Sequence, residues 1–266
     1  MFRIYLFHSL RFLLFICLCS FATAAEIVSG EVQTRNYYFE KAQKDMQYAL
    51  YVPESYQTDI ASPLIVLLHG AGGTPQGVIR YEGIQQQAEE HGYIVVAPYG
   101  YNELGWYGLF GSGKSLFNNG AAGPIPDNIG ELSEADVINV LEIVRSEFNI
   151  DSNRTYLMGH SMGGGGTYHI GTKYSENWAA LALLAPAIFG KPDLLDTITD
   201  MPVFVAHGDA DSQISVDVAR RLVAKMEELN MTHQYIEIAG GDHNDAIARN
   251  PELIAQVFNF LNKYSK

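Results

Sequence analysis

A serine stands between two glycines at Gly159-His160-Ser161-Met162-Gly163, directly after the apolar run 155–158 and ahead of a stretch with helical periodicity. A strand, a tight turn and a helix in that order lift a serine hydroxyl above the end of a sheet and set the positive end of the helix beneath it. The flanking glycines are needed because side chains there would collide across so sharp a turn. G-x-S-x-G alone arises by chance in glycine-rich chains; its setting between a strand pattern and a helix pattern points to a nucleophile.

A serine hydroxyl attacks a carbonyl only if a base takes its proton, and the base needs a carboxylate to orient it. Four histidines follow Ser161: His169, His207, His233 and His243. His169 falls inside the next helical stretch, His207 directly follows an apolar run, and His233 opens another. His243 stands in Gly240-Gly241-Asp242-His243, a glycine turn between the last strand pattern and the final helix pattern, where an imidazole can swing over the serine. For the carboxylate, His207-Gly208-Asp209-Ala210-Asp211-Ser212 offers two candidates. Asp211 lies further from the strand end and is favoured to lean toward His243; Asp209 competes, but it could also cap the turn with its own side chain.

The oxyanion that forms on attack requires backbone N–H donors. Met162, next to the nucleophile, supplies one. The small-residue loop His69-Gly70-Ala71-Gly72-Gly73 supplies the other, with Ala71 the first choice and Gly72 the second.

Two other patterns carry less. Gly108 to Ser115 matches G-x-x-x-x-G-K-S, but no buried strand precedes it and no helix pattern follows, so it is not read as a phosphate-binding loop. Asp242-His243-Asn244-Asp245 has no second ligand cluster to complete a metal site.

The elements that must position these groups alternate along the chain. Residues 37–40 and 47–52 alternate with aromatics and predict an opening antiparallel pair. Short continuous apolar runs follow at 64–68, 94–97, 155–158, 180–184, 203–206 and 235–238, the pattern of strands buried on both faces. Helical patterns lie between them at 77–91, 162–174, 215–229 and 252–264, and another is opened by Ser133 and Asp136 as a short capping box. The expected class is α/β with a mainly parallel central sheet covered by helices on both faces, and a site at the carboxyl ends of its strands. Residues 99–131 break the rhythm with seven glycines between Gly100 and Gly123 and six aromatics, and read as a long loop or lid over the site. Within it Trp106, Tyr107 and Phe110 could stack on a flat acyl group of a substrate, or pack upon one another.

Composition narrows the partners. With 47% apolar and 18% charged residues the chain is an ordinary globular one, and a net charge of −13 would repel nucleic acid. Residues 1–24 carry only Arg3 and Arg11 as charges, then an apolar run, then Ala22-Thr23-Ala24, the layout of a cleaved signal peptide. The run is shorter than the roughly 20 residues of a bilayer span, so no membrane association is expected once the leader is removed. Cleavage after Ala24 would leave 242 residues with a charge of −15 and would remove Cys17 and Cys19, the two cysteines. The expectation is a secreted or periplasmic protein, one domain over residues 25–266, without a disulfide.

Tyr48-Ala49-Leu50-Tyr51-Val52-Pro53, Leu67-Leu68-His69-Gly70-Ala71, Gly159-His160-Ser161-Met162-Gly163, His207-Gly208-Asp209-Ala210-Asp211 and His243 together resemble the α/β-hydrolase superfamily. Within it the chain is similar to secreted esterases of the polyhydroxybutyrate depolymerase and feruloyl esterase group and to prolyl-oligopeptidase-like hydrolases, over residues 45–264. The resemblance implies a triad of Ser161, Asp211 and His243, an oxyanion hole at Ala71 and Met162, and no cofactor or metal. It implies a carboxylic ester hydrolase acting on a small-molecule or polymer-linked ester of aromatic, acetyl or polyester type. A prolyl-oligopeptidase-like serine peptidase is the alternative, though it would usually carry an appended domain or an acidic pair that grips an amino terminus. A non-catalytic binder would be expected to have lost one of the three residues, and none is missing.

Overall fold

The computed structural model describes residues 27–266, so the expected leader, with Cys17 and Cys19, lies outside the described residues. Among the described residues eight strands form one sheet: β1 (Val32–Phe39), β2 (Lys44–Tyr51), β3 (Ser62–Leu68), β4 (Ile94–Pro98), β5 (Ile150–His160), β6 (Leu181–Leu184), β7 (Val203–Gly208) and β8 (His233–Ile238). Their order is β1-β2-β4-β3-β5-β6-β7-β8. β2 pairs antiparallel with β1 and β4, and every pairing from β4 through β8 is parallel.

Helices cover both faces, as the unalternated apolar runs require. Along β3 the side chains divide by parity. Leu64, Val66 and Leu68 join a core with Val137, Val140 and Val144 of α3 (Ile129–Glu147), Ile170 of α4 (Met162–Lys173) and Leu222 of α5 (Asp217–Glu228). Ile65 and Leu67 join a second core with Ala88 of α2 (Ile84–His91) and with Leu253, Val257 and Phe258 of α7 (Pro251–Leu261).

Several boundaries differ from the expected ones. The helix expected over 77–91 is two helices, α1 (Pro75–Val78) and α2, separated at Gly83, whose φ of 94° no side-chain-bearing residue adopts readily. A further short helix, α6 (Asp245–Ala248), precedes α7. Ser133 and Asp136 do not begin a helix: α3 starts at Ile129, and both lie buried within it. Their side chains serve the preceding loop instead. Ser133 donates to the Gly100 carbonyl at 2.6 Å and accepts the Tyr107 amide at 2.9 Å, while Asp136 accepts the Gly100 amide at 2.7 Å and the Tyr37 hydroxyl.

These bonds hold the loop 99–128 against the fold. Trp106 and Tyr107 both take left-handed backbone conformations, φ 59° and 51°, a strain of about 1–3 kcal/mol each that the surrounding packing must offset.

Candidate active site

The glycine motif forms the turn its sequence predicts. Ser161 sits between β5 and α4 with φ 59° and ψ −117°, a left-handed conformation for a non-glycine residue. A Cβ at Gly163 would collide with the Leu68 carbonyl, and one at Gly159 with the Gly163 carbonyl. The elbow therefore packs backbone directly on β3. From the neighbouring strand end, Gly70 approaches so closely that a side chain on it would lie 3.3 Å from the Ser161 Cβ.

Three of the expected residues meet here. The Ser161 hydroxyl donates to His243 Nε2 at 2.8 Å, and His243 Nδ1 donates to Asp211 Oδ2 at 2.6 Å. His243 is carried on the turn after β8, and Asp211 on the turn after β7. Asp209 faces elsewhere: its carboxylate accepts the Gly240 amide at 2.6 Å and so ties the β8 turn to the β7 turn.

Burial raises the proton affinity of Asp211, but the Ile214 amide, the His243 ring and the Gln213 amide outweigh it and hold the carboxyl below its ordinary value. The two amides approach Oδ1 at 2.9 and 2.8 Å. His207, which sequence reasoning set aside, lies behind this carboxylate. Its Nε2 is 3.1 Å from Asp211 Oδ2 and 2.9 Å from the Ile214 carbonyl, and its Nδ1 is buried without a partner. That pattern fits a neutral ring protonated at Nε2, in keeping with the downward pull of burial on its pKa. The only sequence signal for it was its place at the head of His207-Gly208-Asp209-Ala210-Asp211.

The loop 69–73 runs beside the elbow. The Gly72 amide donates to the Glu103 carbonyl at 2.9 Å and the Gly73 amide to the Gly70 carbonyl at 2.9 Å. Among the described residues the Ala71 amide has no such acceptor. Met162 is the first residue of α4, a position whose amide has no acceptor within the helix. Donors of this kind are suited to an oxyanion.

A cavity of about 350 Å³ opens over these groups, with Ala71, Thr74, Tyr81, Ser161, Gln213 and His243 in its wall. Among the described residues no Asp, Glu, Lys or Arg lines it. Trp106 and Tyr107, expected as substrate-binding residues, do not line it either. Tyr107 is fully buried, lies against Gly166 and donates its hydroxyl to the His69 carbonyl at 3.2 Å. Trp106 donates Nε1 to the Phe117 carbonyl at 2.9 Å and packs among Phe110, Phe117 and Phe189. Mutual packing of the loop's rings, the second of the two expectations, is what the structure contains.

A mixed sheet of this order, with a strained serine at the strand-helix turn and a base and acid on later turns, defines the α/β-hydrolase fold. The Esterase family matches residues 40–247, and the chain belongs to that family. It is 30% identical over 149 residues to the S-formylglutathione hydrolase of Rattus norvegicus, covering 53% of this chain and 51% of that protein. It is 28% identical over 130 residues to feruloyl esterase B of Neurospora crassa, covering 49% and 40% respectively. The chain thus spans about half the length, or less, of these relatives. Among solved structures, a ferulic acid esterase superposes with a TM-score of 0.69 at 16% identity, over 89% of this chain and 99% of that one.

Proposed function

We propose that the chain is a carboxylic ester hydrolase acting through an acyl-enzyme on Ser161. The observation that carries this reading is the hydrogen-bond chain Asp211–His243–Ser161, with links of 2.6 and 2.8 Å, at the wall of a cavity. His243 Nε2 takes the hydroxyl proton as Ser161 Oγ bonds to the ester carbon. Asp211, kept ionised, stabilises the imidazolium and fixes its orientation. The amides of Ala71 and Met162 receive the oxyanion. His243 returns the proton to the departing alkoxide, and water then repeats the sequence on the acyl-enzyme.

The uncharged cavity wall favours an ester whose acyl group is uncharged, and its volume sits at the compact end of the roughly 300–1,000 Å³ of small-molecule sites. The names of the relatives, a feruloyl esterase and an S-formylglutathione hydrolase, are compatible with such a group. Among the described residues no carboxylate in the wall is offered to a free amino terminus, which disfavours the peptidase alternative. We further propose that residues 1–24 direct export and that residues 25–266 act as one catalytic domain. Turnover of acetyl, feruloyl and polyester substrates compared with peptide amides tests the reading. Ester turnover abolished by Ser161→Ala is the expected result; amide turnover exceeding ester turnover would replace it.

A further inference from the structure

His243 rides on a turn that contains Gly240 and Gly241, so the position of its ring depends on what grips its backbone. The residue that does so is His160, the neighbour of the nucleophile. His160 is 2% exposed, and its Nε2 lies 2.9 Å from the His243 carbonyl oxygen. A carbonyl can only accept, so Nε2 carries the hydrogen. The other ring nitrogen, Nδ1, lies 2.9 Å from the Tyr81 hydroxyl, which must therefore be the donor. The two histidine rings stand 5.1 Å apart, centroid to centroid.

We infer that His160, fixed by Tyr81, is the positioning residue that holds the His243 backbone at working distance from Ser161. This deepens the proposed hydrolase reading and rests on it. Because His160 and Ser161 are adjacent in sequence, a bond from one to the base's backbone sets the distance between the base and the other. Burial and the neighbouring His243 lower the pKa of His160 to about 4, so it stays a neutral donor and adds no positive charge beside the imidazolium that His243 becomes. Tyr81 is itself anchored, since the next residue, Glu82, donates its amide to the Ala248 carbonyl at 2.9 Å, tying this turn to α6 just beyond His243. Tyr81 and His160 both form part of the cavity wall, so a substrate held there would shield the pair from water.

Glutamine can place its amide nitrogen where the imidazole Nε2 lies; leucine fills the space without a donor. His160→Leu is expected to lose about 10- to 100-fold in kcat on a neutral short-chain ester with KM changed less than about threefold, and His160→Gln to recover most of that loss. Nitrogen NMR of the wild type is expected to show His160 as the Nε2–H tautomer, and Tyr81→Phe to shift its resonances, a readout that stands even if His160→Leu fails to fold. Wild-type kcat in His160→Leu, no recovery in His160→Gln, or an Nδ1–H tautomer would each overturn the inference while leaving the hydrolase reading intact. A wild-type protein that neither turns over the ester nor takes up a fluorophosphonate would overturn both.

Discussion

The Asp211 carboxylate accepts the Nδ1 hydrogen of His243 at 2.6 Å across 32 positions of sequence. Asp209, two residues earlier, spends its carboxylate on the Gly240 amide. The two aspartates should therefore respond differently to the same change. Asp211→Asn is expected to lower kcat by about 10⁴, because an amide at that point no longer fixes the tautomer and orientation of the base. Asp209→Asn, whose amide oxygen can still accept the Gly240 amide, should leave kcat within a few-fold and cost less than about 1 kcal/mol of stability, since only the charge assistance of one turn hydrogen bond is lost. Steady-state kinetics and urea unfolding of both variants check this.

The parts of this arrangement legible in the sequence share one property: their signal is local. Strands buried on both faces show as continuous apolar runs, and an elbow shows as a serine with flanking glycines. The start of α3 is not legible in this way, because Ser133 and Asp136 have the residue types of a cap, whereas their partners, the Gly100 carbonyl and amide, are more than thirty residues away. The roles of His160 and His207 are hidden in the sequence for a related reason. A ring that supports a catalytic group and a ring that merely fills a core look alike until the fold brings in the His243 carbonyl or the Asp211 carboxylate. The aromatics of the 99–128 loop were ambiguous in sequence because packing and ligand stacking require the same side chains.

Backbone contact at the elbow makes Gly163 intolerant of any side chain. Gly163→Ala drives a methyl group into the Leu68 carbonyl and must shift either β3 or the start of α4. The expected outcome is a loss of stability of about 1–3 kcal/mol from overpacking, with Ser161 displaced and ester turnover lost. Thermal unfolding and turnover measured on the same preparation check both effects.

The rings of Trp106, Phe110, Phe117 and Phe189 form one exposed-edged cluster. Trp106→Ala should lower stability by about 3 kcal/mol, toward the lower end for removal of a large aromatic side chain. The ratio of feruloyl to acetyl ester turnover should change little, since Trp106 is absent from the cavity wall. A competition assay with the two esters reads this ratio.

Two carboxyls beside the loop give stability opposite pH dependences. Asp136 is fully buried, and burial outweighs the amides that bond to it, raising its pKa to about 7. The folded chain thus binds that proton more tightly than the unfolded chain, whose carboxyl titrates near about 3.9; the stability Asp136 contributes is full below about 3.9 and is lost as pH rises through 7. For Glu134, burial is outweighed by bonds from His169, Lys173 and Tyr174, and its pKa falls to about 2. Its contribution is full above about 4.3 and is lost as pH falls toward 2. Asp136→Asn should flatten the stability profile between about pH 4 and 7, and Glu134→Gln should flatten it only below about pH 4. Denaturant unfolding at a series of pH values distinguishes the two.

The central claim concerns the chemistry at Ser161. Incubation with a fluorophosphonate, followed by intact-mass measurement of the wild type, Ser161→Ala and His243→Ala, tests it most directly. The account predicts one covalent adduct on the wild type, located to Ser161, with none on Ser161→Ala and slow formation on His243→Ala. A wild-type protein that stays unlabelled, or a Ser161→Ala variant that labels as fast as the wild type, would contradict it.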